Sequence, residues 1–300
     1  MDINTLKKVG NIKQVISVYD MEVKNGVACG KRIILVNNGV LEVAFNADNA
    51  LDIAWVKYKG VNVSFLSKNG LNNNVGIFGE QFEGGFLYTC GLDNVSACDK
   101  TRPIHGSLHA RKAENVNAIT DNDKVIVSGD VYTTALKGIN LKLHRKYVVT
   151  SNGISFNDTV INCGFTDSDY VLLYHVNFGY PFLDKDFILD FDAVSSFPAN
   201  KTTNIEDCKV ITDARPKESE KLYYHYLKDG VVIMKNPSLD IECVMEFDMK
   251  ALPLLVEWKN LFEGDYVIGI EPATTRFDEY KKNPIKSGEE HKFSVSVKFS

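Results

Sequence analysis

Two ionisable residues stand where apolar ones are expected. His175 lies within Val171-Leu172-Leu173-Tyr174-His175-Val176-Asn177-Phe178-Gly179-Tyr180-Pro181-Phe182-Leu183. Glu271 closes the run Tyr266-Val267-Ile268-Gly269-Ile270, just ahead of Pro272. With strand alternation, Leu173, His175 and Asn177 share one face, and Tyr174, Val176 and Phe178 share the other. A polar pair on one face of an apolar strand suits a wall of a cavity. It also suits a core histidine satisfied by a backbone carbonyl. A glutamate at the end of a buried run must be paired, with Arg276 as the near candidate, or must be put to chemical use. The two residues are the chain's candidates for proton transfer.

A third polar segment is Pro103-Ile104-His105-Gly106-Ser107-Leu108-His109-Ala110-Arg111. On a helix His105 and His109 would share a face; on a strand His109 and Arg111 would. Two histidines four apart could ligate a metal, but the glutamate of the H-E-x-x-H pattern is absent. The six cysteines are scattered singly, without a C-x-x-C pair, which reads as reduced thiols in a cytoplasmic protein and speaks against a zinc site. Nothing resembles a G-x-S-x-G elbow, a P-loop or a dinucleotide fingerprint. Gly84-Gly85 lacks the spacing and the following helix that phosphate binding needs.

The elements around these segments read as strands. Ile12 to Val23, Arg32 to Val36 and Val40 to Phe45 are separated by Asn25-Gly26 and Asn37-Asn38-Gly39, both hairpin signals. Leu51 to Val56, Lys124 to Val131, Leu141 to Val149, Ile154 to Ile161, Val231 to Met234 and Ile241 to Phe247 follow. Phe293 to Phe299 alternates strictly, with one face on a core and one in solvent. Residues 4–9 allow a short helical turn. Lys68 to Gly91 reads as a long loop with interleaved Phe78, Phe82 and Phe86, either lining a ligand site or packed as a surface loop. Asn200 to Lys221 reads as a second, polar surface loop. No window of twelve residues carries a helical stripe. The expected class is mainly antiparallel β, a large sandwich or barrel, with residues 1–300 as one domain.

The chain has 300 residues, 24% charged and 44% hydrophobic, with a net charge of −5. That composition is ordinary for a globular protein and offers no basic face for nucleic acid. No apolar run approaches the length of a membrane span, and the N-terminus has no secretory pattern.

Taken together, several segments resemble the galactose mutarotase-like superfamily of aldose 1-epimerases, and most closely its DUF4432-type branch. They are Leu51-Asp52-Ile53 with Tyr58-Lys59-Gly60, the stretch from Phe82 to Val95, His105-Gly106, the stretch from Leu173 to Pro181, Leu252-Pro253 with Trp258, and Gly269 to Ala273. The resemblance implies a β-supersandwich and sugar chemistry without a metal or organic cofactor. It implies that Glu271 takes the proton of the anomeric hydroxyl and that His175 protonates the ring oxygen. His105 would hold sugar hydroxyls. His109, Asn177, Phe82 and Tyr180 are further candidates for the sugar site. Ser107 stands where an arginine is expected after His-Gly, so Arg111, or Arg102, is the candidate for the sugar-contacting arginine. Glu218 or Glu220 is the candidate for the substrate-binding acid. The implied partner is a small-molecule sugar. A non-catalytic sugar-binding protein on the same fold is the alternative.

Overall fold

A computed structural model of the chain describes residues 7–96, 102–201, 203–217, 219–279 and 281–300. Three large sheets carry the fold, of five, eight and seven strands. Every ladder among the described strands is antiparallel. The five-stranded sheet is N-terminal and runs in chain order from Ser17–Glu22 to Val61–Asn62. The eight-stranded sheet holds the long hairpins Lys124–Thr134, Asn140–Val149 and Gly153–Asn162, with the C-terminal strand Glu290–Phe299 inserted beside them. Alternation holds there as expected: Phe293, Val295, Val297 and Phe299 are buried and the residues between them are not.

The seven-stranded sheet is central. Its middle is formed by Lys221–Leu227, Leu254–Phe262, Asp265–Ala273, Ser168–Gly179 and Leu87–Leu92. The main core draws on all three sheets, with Phe45, Tyr147, Phe156, Tyr174, Phe178 and Ile270 among its members. The opposite face of the central sheet carries a second, smaller cluster that includes Tyr88, Cys90, Leu173, Tyr224 and Val256. Leu87–Leu92 and Ser168–Gly179 are therefore covered on both sides, which explains why they are buried along nearly their whole length.

Some elements depart from the sequence reading. Ile12–Gln14 is a 3-10 turn capped by Asn11 and Gln14, so the first strand starts only at Ser17. Nine residues, 23–31, link the first two strands, since Glu22 pairs with Arg32 and no tight Asn-Gly hairpin forms. The loop from Lys68 ends well before Gly91. Leu87–Leu92 is a fully buried strand, and the glycines ahead of it disguise the change. Gly84 and Gly85 have φ of +75° and +91°, and a Cβ on Gly84 would stand 2.8 Å from the Phe65 carbonyl oxygen. The region before them is a loop stapled by carboxamides. Asn69 donates to the Gly79 and Phe82 carbonyls, and Asn72 donates to those of Gly70 and Gln81. The helical turn expected over residues 4–9 lies mostly outside the described residues.

Candidate functional site

Register brings the two candidates together. Pairing of Leu173 with Ala273 and of Val176 with Ile270 sets His175 opposite Glu271 on neighbouring strands. On its other side His175 pairs with Tyr88, and Glu271 pairs with Val256. Direct cross-strand neighbours share a face. Tyr88, His175, Glu271 and Val256 therefore form one row across the central sheet, on the face turned away from the main core. His175 Nε2 lies 3.1 Å from Glu271 Oε1. Their residues are 5% and 1% exposed, so both groups are withdrawn from bulk water.

Burial governs their electrostatics. Desolvation, helped by the nearby His105, pulls the His175 pKa down to about 3, against the influence of the Asn177 amide. Desolvation, helped by Glu220, pushes the Glu271 carboxyl well above the usual carboxylate range. Both shifts favour the uncharged partner, so the pair holds a single proton on the carboxyl. His175 Nδ1, Asn177 Oδ1 and Glu271 Oε1 all lack a hydrogen-bond partner at good geometry. Buried polar atoms left this way cost about 1–3 kcal/mol each. Two of them, on His175 and Glu271, belong to residues that line a cavity, where a ligand's hydroxyls would find partners.

A cavity of about 620 Å³ opens above this row. Its walls include His105, His175, Glu271, Phe78, Phe82, Trp258 and Phe277. The rings of Trp258 and Phe82 stand 5.3 and 6.1 Å from the His175 ring. The His105 ring stands 5.9 Å away, edge to face. His105 Nδ1 is 3.3 Å from the Val95 carbonyl, so that nitrogen carries the hydrogen and Nε2 is left as an acceptor. Desolvation lowers the His105 pKa to about 4, which keeps the ring neutral near pH 7.

Other expected residues lie elsewhere. Gly106, with φ of +81°, turns the chain, and a 3-10 turn over Leu108–Ala110 carries His109 away from His105. His109 stacks on Tyr88 with ring centroids 3.6 Å apart. Its Nδ1 is 2.9 Å from Asp52, and it lines a different cavity. Arg111 does not line the site: its N–H donates to Leu108 and its carbonyl accepts from Ala50. Arg102 donates to the Asp93 carbonyl and likewise does not line it. Tyr180 is 68% exposed, because the strand ends at Gly179 and the chain turns outward at Pro181. Asn177 faces the correct side but is fully buried beneath the cavity floor, where its amide donates to the Gly85 and His175 carbonyls. It positions the strand and does not line the cavity. Arg276 pairs with Asp278 and Glu279, leaving Glu271 to His175.

Trp258 and Glu220 are the residues whose place the sequence left least defined. Trp258 pairs with Gly269 across the sheet and so stands next to Glu271. Its Nε1 donates to Glu220 at 2.6 Å, which brings that carboxylate to the cavity. Glu218 lies outside the described residues. Among the described residues no cluster of three or more His, Cys, Asp or Glu is placed to hold a metal, and the five described cysteines are unpaired. No helix of the described chain is long and apolar enough to cross a membrane.

This architecture is the galactose mutarotase-like fold. It superimposes on a candidate aldose 1-epimerase from Klebsiella pneumoniae with a TM-score of 0.84 at 18% identity, covering 95% of this chain and 83% of that one. A galactose mutarotase-like protein from Clostridium acetobutylicum gives 0.72 at 16% identity, with 96% and 99% covered. A galactose mutarotase related enzyme from Lactobacillus acidophilus gives 0.63 at 14% identity, with 89% and 97% covered. At such identities the likeness concerns the fold alone. The chain belongs to the family described as domain of unknown function DUF4432, whose profile matches residues 28–293. Among curated proteins none matches the sequence.

Proposed function

We propose that the protein is a mutarotase-like aldose 1-epimerase that interconverts the anomers of a sugar by general acid–base catalysis. The observation that carries this reading is the buried His175–Glu271 contact of 3.1 Å at the floor of a cavity walled by aromatic rings. Passage of the one shared proton from Glu271 Oε1 to His175 Nε2 arms both groups together. It leaves a carboxylate of raised pKa, hence a strong base, beside an imidazolium of lowered pKa, hence a strong acid. Hydroxyls of a bound sugar stabilise this charged form by filling the open hydrogen bonds. Glu271 then takes the proton of the anomeric hydroxyl while His175 gives its proton to the ring oxygen. The C1–O5 bond breaks and the C1–O1 bond becomes a carbonyl. Rotation about C1–C2 and the reverse proton transfers close the ring as the other anomer. The proton count of the pair is the same before and after.

Neutral His105 is proposed to accept a hydrogen bond from a sugar hydroxyl, and Phe82 and Trp258 to pack on the apolar face of the ring. The test is saturation-transfer NMR of anomer exchange on glucose, galactose and other free aldoses with and without the protein. Faster exchange supports the reading. Tight binding with exchange no faster than in buffer would make the protein a sugar-binding module instead.

A further inference from the structure

The cavity does not end at the reaction centre. Glu271 and Asp265 both line it, and they lie at opposite ends of one strand. Six residues at about 3.4 Å each separate them by about 20 Å. A single pyranose ring at Glu271 would leave the Asp265 end empty. That end has polar groups of its own. Asn260 Oδ1 is buried without a partner, and Asp265 holds Lys68 Nζ at 2.9 Å. Trp258 stands between the two ends, two residues along its strand from Asn260 and beside the His175 ring. The described charged groups of the outer wall are Lys68, Lys217, Glu220 and Asp265, two of each sign, with Lys68 already paired. Such a wall favours a neutral, hydroxyl-rich ligand over a phosphorylated one.

We infer that the outer half of the cavity is a second sugar subsite, and that the substrate is a reducing disaccharide or longer saccharide. The inference rests on the epimerase reading and narrows its substrate class. Ring opening needs a free anomeric hydroxyl on the sugar at Glu271. The neighbouring ring must then be joined through another hydroxyl of that sugar, and it lies along Trp258 toward Asn260 and Asp265. The Asn260 amide oxygen accepts from one of its hydroxyls. No bond between the rings is broken.

The experiment compares kcat/KM for anomer exchange on maltose, lactose and melibiose with that on glucose and galactose, in the wild type and in Asn260→Ala and Asp265→Ala. At least one disaccharide is expected to exceed its monosaccharide by about tenfold or more, and each variant is expected to lower that ratio several-fold. A ratio near one in the wild type, or a ratio the variants leave in place, overturns the subsite while the epimerase reading stands. If no sugar is turned over, the epimerase reading falls, and calorimetric titration of the same sugars decides the subsite. Tighter binding of a disaccharide that weakens in Asn260→Ala supports it, and equal or absent binding overturns it.

Discussion

Gly269 and Glu271 compete for one space. They lie two residues apart on the same strand face, and a Cβ on Gly269 would collide with Glu271 Oε1 and come within 3.1 Å of His175 Cε1. Trp258 is the cross-strand partner of Gly269 and roofs this spot from the side. The missing side chain is thus what lets the carboxyl lie flat against the imidazole.

Gly269→Ala should therefore disturb the pair while leaving the fold standing. Overpacking of this kind costs about 1–3 kcal/mol. The φ of Gly269 is not in the left-handed region, so the backbone itself tolerates alanine. The expected result is a modest drop in thermal midpoint with exchange lowered by roughly tenfold or more. Activity equal to wild type would show that the Glu271 position seen here is not needed for turnover.

Glu271→Gln and His175→Ala each remove one half of the proton exchange. Loss of a general acid or base costs about a hundredfold or more in rate. Because the two act through one shared proton, the double variant should be little worse than either single one. Saturation-transfer NMR measures all three. Exchange unchanged in both single variants would end the acid–base assignment.

The same shared proton fixes how stability responds to pH. An unfolded histidine titrates near 6.5 and folded His175 near 3, so its stabilisation is complete above 6.5 and is lost as pH falls toward 3. An unfolded glutamate titrates near 4.5 and folded Glu271 well above that, so its stabilisation is complete below 4.5 and is lost as pH rises. Between these two values the unfolded pair carries its proton on histidine and the folded pair carries it on glutamate. The proton numbers match, and the two dependences cancel. Glu271→Gln removes the cancelling half. The variant should lose stability on acidification more steeply than wild type, by up to about 1.4 kcal/mol per pH unit. His105, titrating near 4, adds the same slope to both proteins. Urea midpoints between pH 4.5 and 6.5 test this, and parallel profiles would contradict it.

Much of this arrangement was legible beforehand, and the part that was not has a common cause. Period-2 alternation placed His175 and Asn177 on one face, and the packing agrees with it, since Leu173 joins the smaller cluster while Tyr174, Val176 and Phe178 join the main core. The unbroken apolar run before Glu271 marked a buried strand end. Local pattern could not give register. Trp258 reaches the cavity only because the turn at Gly264 pairs it with Gly269. His109 looked like a partner of His105 because the two are close in sequence, yet left-handed backbone at His105 and Gly106, followed by the 3-10 turn, sends them to different cavities. The strand Leu87–Leu92 was hidden because its signal is burial on both faces, which resembles a loop when glycines surround it.

Trp258 offers a readout of binding that is independent of turnover. The chain has two tryptophans, and Trp55 lies in the N-terminal sheet bonded to Glu42. In a Trp55→Phe background the remaining emission comes from beside His175, and sugar should change it. Aromatic packing beyond plain area is worth about 0.5–1.5 kcal/mol. Trp258→Ala should raise KM by up to roughly tenfold, and Trp258→Phe less, since a ring remains. Emission that ignores every sugar and an unmoved KM would remove Trp258 from the site.

Beneath the site runs a buried ionic chain that should govern stability without touching turnover. Arg145 is fully buried and lies 2.5 Å from Asp52 and 3.0 Å from Asp158. Asp52 also accepts from Thr89 and holds His109, while Tyr174 donates to Asp158. Burial alone would raise the Asp52 pKa, but Arg145 and His109 outweigh it and the net shift is downward. At Asp158 burial wins and the shift is upward. The network thus ties the N-terminal sheet to the strands of the other two. Asp52→Asn removes one charge and leaves a buried guanidinium with a single counter-ion, a change that costs about 3–5 kcal/mol. None of these groups lines the cavity that holds His175 and Glu271. The urea midpoint should fall sharply while the exchange rate of the folded protein stays within a few-fold of wild type. A large loss of rate without a loss of stability would mean that Asp52 acts on the site through His109 and Tyr88, and that the two cavities are coupled.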